Sequence, residues 1–519
     1  MTDRPLTGRA MTGRAMTGQA MTGQAMTGQA MTGQAITGQD VDDAVAPASD
    51  RQRYVYMETL GCQMNVYDTE RMGEALAAHQ YLPTDDRAVA DLIVINTCSV
   101  REKSEHKMIS LLGKLRPLKE HNPDLVLAVS GCVAQQEGEQ LLKKVPHLDI
   151  VLGPDQIAQL PALVRQAREE QTRSSATAFI HRRDYAFTRS EAPTDGRVTS
   201  FITVMKGCNK FCSFCIVPTT RGREVSKPSD HIVEEVQGMV DAGVREVTLL
   251  GQNVNSYGLD KRGRQGQDDE VDFAGLISKV AGITGLERIR FTTSHPMDCS
   301  DALIDAFATE PKLMPWFHLP IQSGSERVLR MMRRRTIIED YVTRIERLTA
   351  ARPDIAMSTD IIVGFPGETA ADFELTLALL RRIRFSTIFA FMYSPRPGTA
   401  AARIPDDVPL GEKKERLYAL QALQNEITAD WLASFAGQEL EVLFEGPSTQ
   451  YARGPNTKSL AARPIGGPPQ LMGRTPHNVK VNVETTDFYA LRDWPGRVAR
   501  VRVDEVNRHS LNGSLVGFL

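Results

Sequence analysis

Seven cysteines, at positions 62, 98, 132, 208, 212, 215 and 299, offer the chemistry that ordinary side chains cannot. In a reducing compartment thiols are not normally held as disulfides, so clustered cysteines point to metal or redox work. Cys208, Cys212 and Cys215 fall in the run GCNKFCSFC, a CxxxCxxC pattern. Zinc sites draw four ligands from paired CxxC or Cys/His sets, and no fourth Cys or His stands just beyond this run, so an incomplete zinc knuckle is the poorer reading. Three thiolates suit a cubane 4Fe-4S cluster better, because they bind three irons and leave the fourth open to a substrate or cosubstrate.

Cys62, Cys98 and Cys132 are dispersed, yet each follows within two residues a strand-like run, at 54–60, 92–96 and 125–130. If the helical stretches between them make these strands parallel, the three thiols emerge on one edge of an open α/β sheet, where ligand crevices form. A second iron–sulfur cluster with three protein ligands follows from that placement, and three unrelated buried cysteines are the alternative. Cys299, after HPMD, reads as an ordinary thiol.

The compact trio needs a strand–loop–helix unit to hold it. Residues 198–205 read as a strand leading into the cysteine loop, and a helix follows over 230–242, ended by Gly243. Further strands are expected at 246–250, 288–292, 316–319, 355–363 and 387–393, with amphipathic stretches between them, which makes a partial (β/α)6 barrel. Chemistry in such barrels gathers at the C-terminal strand ends. Those ends bear GQNVNSYG (251–258), HLPIQSGS (318–325) and STDIIVGFPGE (358–368), whose glycines admit a close ligand and whose Gln and Ser side chains can hydrogen-bond it; as single motifs they are also ordinary turns. His295 and His318 read as structural histidines.

The GCNKFCSFC run, with Phe214 before its last cysteine, resembles the signature of the radical SAM superfamily. In that superfamily the open iron chelates the amino and carboxylate groups of SAM, and an electron from the reduced cluster splits the sulfonium to give a 5′-deoxyadenosyl radical. The resemblance implies that the barrel loops cup SAM, with Phe214, Asn253, Gln322, Ser323 and Gly364 as contacts; for Phe214 alone the plain alternative is packing. TLGCQMNVYDTE, NTCSVREKSE and SGCVAQQEGE resemble the N-terminal domain of methylthiotransferases. Together with CSFCIVPTTRG, GQNVNSYG and STDIIVGFPGET, they make residues 53–502 similar to the branch of that family that acts on N6-dimethylallyladenosine in tRNA. The GQNVNSYG loop and the CQMN start favour this branch over those acting on threonylcarbamoyl-adenosine or on a ribosomal protein aspartate.

What the resemblance implies is an enzyme with two 4Fe-4S clusters. One SAM would give a methyl group to a sulfur associated with the auxiliary cluster at Cys62, Cys98 and Cys132. A second SAM, cleaved at the Cys208, Cys212 and Cys215 cluster, would yield the radical that takes hydrogen from adenine C2 at position 37, next to the anticodon. An aromatic C–H bond is too inert for acid–base activation, so a radical source and a separate sulfur source make chemical sense. The implied partners are a tRNA bearing N6-dimethylallyladenosine, a reducing electron donor and an iron–sulfur or sulfur supply system, with no membrane and a monomeric chain.

The segment 432–502 reads as short strands, in ELEVLFEG, HNVKVNVE and RVARVRVDEV, joined by Gly/Pro-rich connections; it suggests a small β-barrel and resembles a TRAM domain, an RNA-binding module. Residues 451–502 hold nine Lys/Arg against three acids, a patch able to hold phosphates or else a solvated face, and Arg333, Arg334 and Arg335 pose the same choice.

A chain of 519 residues exceeds one core, so several domains are expected: an N-terminal open parallel α/β domain over 53–169, the partial barrel over 194–430 and the TRAM-like barrel over 432–502. The net charge of -3 confines any nucleic-acid surface to a local patch. No apolar run is long enough to span a membrane. Residues 1–50 are dominated by a five-residue repeat, MTGQA or MTGRA, read as a disordered extension with a targeting or partner-binding tail as the alternative. It lacks the apolar core of a secretory signal, so a cytoplasmic protein is expected. A non-catalytic iron–sulfur RNA-binding protein is the competing class of function.

Overall fold

The computed structural model describes residues 52–99, 102–260, 271–448 and 468–519. The extension expected over 1–50 lies outside the described residues, as do Arg453, Lys458 and Arg463 of the basic segment.

Six strands form the first sheet: β1 (Arg53–Leu60), β2 (Tyr81–Pro83), β3 (Leu92–Thr97), β4 (Val126–Ser130), β5 (Ile150–Leu152) and β6 (Ser174–Ala176). Their order is β2-β1-β3-β4-β5-β6, and every neighbouring pair is parallel. The run LIVINT of β3 is buried at every position. Its alternate residues face opposite layers: Ile93 and Ile95 pack with Met108 and Leu112 of the helix Glu102–His121, and Leu92 and Val94 with Met72 and Leu76 of the helix Gln63–Ala77. A parallel sheet covered on both faces requires such continuous apolar strands. The three strands expected here are present. β6 takes the sheet past the expected boundary at 169.

The ribbon β8 (Met205–Lys206) and β9 (Val225–Ser226) flanks the cysteine loop. Around it stand β7 (Thr199–Thr203), β10 (Glu246–Leu250), β11 (Arg288–Phe291), β12 (Trp316–His318), β13 (Ala356–Val363) and β14 (Thr387–Met392). They form two parallel three-stranded sheets, β11-β10-β7 and β12-β13-β14, and a parallel bridge between Ile289 and Leu313 joins the two halves into the expected partial barrel. The helix expected over 230–242 runs Ser229–Asp241, and Gly243 follows at φ +103°. Phe273, Phe291, Phe307 and Phe317 fill the core between strands and helices; the Phe273 and Phe291 rings meet edge-on with centroids 4.9 Å apart.

The C-terminal strands, β15 (Glu439–Pro447), β16 (Gln470–Arg474), β17 (Lys480–Glu484), β18 (Val498–Val506) and β19 (Leu511–Phe518), close a barrel in the order β15-β16-β17-β19-β18. The boundary expected at 502 falls short. β19 pairs with both β17 and β18 and completes the closure, but its sequence LNGSLVGF breaks the alternating pattern with two glycines. No described helix is long and apolar enough to cross a membrane.

One ion pair braces the loop after β13. The buried Glu368 accepts from the Gly364 N–H at 2.6 Å and from Arg416 at 2.6 Å, and Arg416 lies on the helix Leu410–Ala433. Arg416→Ala leaves that carboxylate buried without its counter-charge. A loss of about 3–5 kcal/mol is expected in urea unfolding, the usual cost of removing one member of a buried pair.

Candidate active site

Cys62 follows β1 and caps the helix Gln63–Ala77, Cys98 follows β3, and Cys132 follows β4 and opens the helix Cys132–Glu137. Parallel pairing of β1 with β3 and of β3 with β4 brings all three thiols to one sheet edge, as their strand-end positions implied. Gly131 makes the close approach possible. It sits at φ +93°, and a Cβ there would lie 2.3 Å from Asn96 Oδ1 and 2.6 Å from the Thr97 carbonyl oxygen. Asn65 and Asn96 lock the edge from below: Asn65 Nδ2 donates to Asn96 Oδ1 at 2.9 Å, Asn96 Nδ2 returns a bond to the Asn65 carbonyl at 2.8 Å, and Asn65 Oδ1 lies 3.3 Å from Cys62 Sγ. Gly131→Ala is therefore expected to spread the three thiols and to strip iron from this trio alone, read as iron per chain after reconstitution.

Cys98 is hydrogen-bonded to both of its partners. That bond, with the Arg221 guanidinium, lowers Cys62 to about 7 and holds Cys132 well below the usual thiol range, while the same bonds and burial push Cys98 up.

Cys208, Cys212 and Cys215 lie in the loop beyond β7 and β8, at the C-terminal strand ends. The loop is pinned on several sides. Cys208 N–H donates to Gly222 O at 3.1 Å, Ser213 N–H to Met332 O at 2.9 Å, and Ser213 Oγ to Met331 O at 2.8 Å. Burial pushes the Cys208 and Cys215 thiols up to about 12. The two trios are neighbours: the short helix Val217–Thr220, just past Cys215, packs against the helix Cys132–Glu137. All seven cysteines are thiols, and Cys299 is buried in the apolar core of the barrel.

The loops around the barrel mouth interlock. Gln252 Oε1 accepts from the Gly207 N–H, Lys210 pairs with Asp298 at 2.6 Å, and Asp298 accepts from Asn253 Nδ2 at 2.7 Å. Gln252 Nε2, Asn253 Oδ1 and Ser294 Oγ are buried with no partner among the described residues. Buried polar atoms seldom stay unpaired, so these fit the polar groups of a bound cosubstrate. Gln322 holds φ +80° beside β13, its N–H bonded to Asp360 O at 2.9 Å. Ser323 is wholly buried; its hydroxyl accepts from Ser325 N–H at 3.2 Å and lies 3.5 Å from that of Thr376. Gly364 is at φ +67°, and the neighbour that leaves no room for a side chain is Lys413, 2.3 Å from a Cβ. Phe214 packs against the barrel core. His318 Nδ1 lies 3.0 Å from Ser358 Oγ, and burial, with Arg334 and Lys210 near, holds His295 down to about 2, so both are tied into the fold.

Arginine positions are where the sequence misled. Arg334 is no surface cation: it is buried, with Nη1 3.6 Å from Cys212 Sγ and Nη2 on the Pro320 carbonyl, whereas Arg333 and Arg335 are exposed. Arg221, at the end of the CSFCIVPTTRG run, is buried with Nε 3.4 Å from Cys132 Sγ and Nη2 2.5 Å from Asp68 Oδ2. Lys206, two residues before Cys208, meets Asp155 of the first sheet's domain at 2.6 Å under the Tyr185 ring. The only hint of these pairs in the sequence was nearness to the cysteines. Among the described residues no group of three His, Cys, Asp or Glu side chains is set to hold a single metal ion; the donors gathered are thiols, the ligand type of iron–sulfur clusters.

A partial barrel with a three-cysteine loop at its C-terminal edge defines a radical SAM protein, and the radical SAM superfamily matches residues 202–380. The uncharacterized protein family UPF0004 matches residues 54–153, the sheet that holds the other trio. A solved structure of the radical S-adenosylmethionine methyltransferase TsrM from Kitasatospora setae shares the fold at TM-score 0.51 and 13% identity, over 68% of this chain and 77% of that one. The tRNA-2-methylthio-N(6)-dimethylallyladenosine synthase of Anaeromyxobacter dehalogenans is 47% identical over 481 residues, 91% of this chain and 96% of its own length. That of Myxococcus xanthus is 46% identical over 473 residues, 90% of this chain and 95% of its own. The chain belongs to the tRNA-2-methylthio-N(6)-dimethylallyladenosine synthase family.

Proposed function

We propose that this chain is a radical SAM methylthiotransferase that converts N6-dimethylallyladenosine to its 2-methylthio form at position 37 of tRNA. The observation that supports this most is the meeting of two three-thiol sets at the strand ends of two parallel sheets, with Arg221 reaching from one to the other. Cys208, Cys212 and Cys215 would hold one 4Fe-4S cluster, with SAM beside it against Phe214, Asn253, Gln322, Ser323 and Gly364. Cys62, Cys98 and Cys132 would hold the second. When bound, these groups supply what side chains lack, a radical able to take hydrogen from an aromatic carbon and a sulfur to replace it.

The chain's own residues position and exclude. Ser213 anchors the cysteine loop to residues 331–332, Gln252 fixes Gly207, and the Lys210–Asp298–Asn253 chain joins three loops into one rim. In the division of labour that follows, residues 53–169 with β6 serve sulfur transfer, 194–430 serve radical formation and the C-terminal barrel serves tRNA binding. An electron donor and a sulfur supply system complete the partners, and we place the work in the cytoplasm with a monomeric chain. Mass spectrometry of tRNA nucleosides from a strain lacking this protein tests the proposal: the 2-methylthio nucleoside should vanish and N6-dimethylallyladenosine accumulate. An unchanged nucleoside profile, with loss of methylthio-aspartate from a ribosomal protein instead, would overturn it.

A further inference from the structure

We propose that Arg221 is the positioning and charge-balancing residue of the sulfur centre at Cys62, Cys98 and Cys132, and that it couples this centre to the cysteine loop of the other. The inference rests on the assignment of that trio as a cluster site.

Arg221 follows Cys215 by six residues. Between them the short helix Val217–Thr220 lies against the helix Cys132–Glu137. One turn of chain thus spans from the last thiol of one trio to the guanidinium on the other. Arg221 is 5% exposed, and the two contacts of its guanidinium diverge: Nε is 3.4 Å from Cys132 Sγ, and Nη2 is 2.5 Å from Asp68 Oδ2. Asp68 is equally buried, and it stands on the helix capped by Cys62. Arg221 therefore touches, directly or through Asp68, the elements that carry two of the three thiols.

A purely structural role explains this poorly. Two charges taken out of water recover little net stability from each other, and an apolar pair of equal volume would serve packing as well. Arginine cannot lose its proton in a protein, so it supplies a fixed positive charge and a fixed donor fork beside the sulfur. Net charge and hydrogen bonds to the sulfurs are what set the reduction potential of an iron–sulfur centre. A donor on a ligand sulfur stabilises the more negative, reduced state. Asp68 keeps the guanidinium from being a lone buried charge and fixes its direction.

The test uses the chain with Cys208, Cys212 and Cys215 replaced by Ala, so that only the second centre is observed by EPR-monitored potentiometry and iron analysis. In that background Arg221→Gln should shift the potential negative, and Arg221→Lys, which keeps the charge without the fork, should shift it less. The double change Arg221→Met with Asp68→Asn removes both charges and leaves no orphaned carboxylate; it should still shift the potential negative, because the lost positive charge is the nearer to the sulfur. With all cysteines present, Arg221→Gln should lower the ratio of methylthio product to 5′-deoxyadenosine. If Arg221→Gln binds no iron but Arg221→Lys does, charge rather than packing is restored, which also supports the proposal. An unchanged potential in the iron-loaded double variant overturns it, as does equal loss of iron in all three variants. Absence of a cluster before Arg221 is altered counts instead against the assignment of Cys62, Cys98 and Cys132.

Discussion

Replacing Cys208, Cys212 and Cys215 together by Ala is expected to bring 5′-deoxyadenosine formation to background while the protein keeps roughly half of its iron, since in the proposed assignment each trio would supply the ligands of one cluster. No other side chain can take over electron delivery to a sulfonium, so the loss should be complete rather than graded. The fold should survive. The three thiols lie in a loop held by Ser213 and by the Cys208 N–H bond to Gly222, neither of which needs sulfur. The complementary change, Cys62, Cys98 and Cys132 to Ala, should leave SAM cleavage running without methylthio product. Near-normal SAM cleavage in the first variant, measured by chromatography after chemical reduction, would show that the radical centre lies elsewhere.

The compact trio was legible in its CxxxCxxC spacing, and two members of the dispersed trio in the strands before them: LIVIN and LVLAVS are nearly unbroken apolar runs, the mark of strands buried on both faces, and a thiol stands just past each. Nothing comparable marks β2, β5 or β6, whose three residues each are too few to show a period. The arginines were illegible for another reason. Whether a charged residue is solvated or buried depends on a partner, and the partner is remote in sequence: 153 residues separate Arg221 from Asp68, and 51 separate Lys206 from Asp155. Arg334 sits between two exposed arginines, so local composition describes its neighbours and not itself.

The same blindness affects the basic C-terminal segment, and it changes which residues should bind tRNA. The excess of positive charge over 451–502 was counted in a sequence window, but the fold brings acids from outside that window against it. Arg500 lies opposite Glu441, which itself pairs with Arg288 at 2.8 Å, and Arg502 opposite Glu439 in the β15–β18 register; Arg502 meets Asp504 at 3.0 Å, and Arg474 meets Glu445 at 3.1 Å. Within the window, Arg492 pairs with Asp493 at 2.7 Å. Residues 449–467, by contrast, contain Arg453, Lys458 and Arg463 and no acid at all.

Removing the whole barrel would blur the question. Arg288 and Arg290 of β11 are buried, and they donate into the carbonyls of Arg474, Thr475 and Pro476 at 2.7–2.9 Å, so truncation would also unseat the wall of the partial barrel. Point changes avoid this. Changing Arg453, Lys458 and Arg463 together to Gln should weaken tRNA binding and flatten the log–log salt dependence by roughly 2–3, since each phosphate contact contributes roughly 0.7–0.9 to that slope. Arg500→Gln with Arg502→Gln should move it little, because Arg502 already meets Asp504 and the strand opposite sets Glu439 and Glu441 against the two cations. SAM cleavage without tRNA should be unaffected by either set, since phosphate contacts position the substrate and take no part in radical formation. Filter binding across a salt series gives both affinity and slope. An unchanged slope in the triple variant, with a large fall in the double one, would place the phosphate contacts on the barrel wall instead.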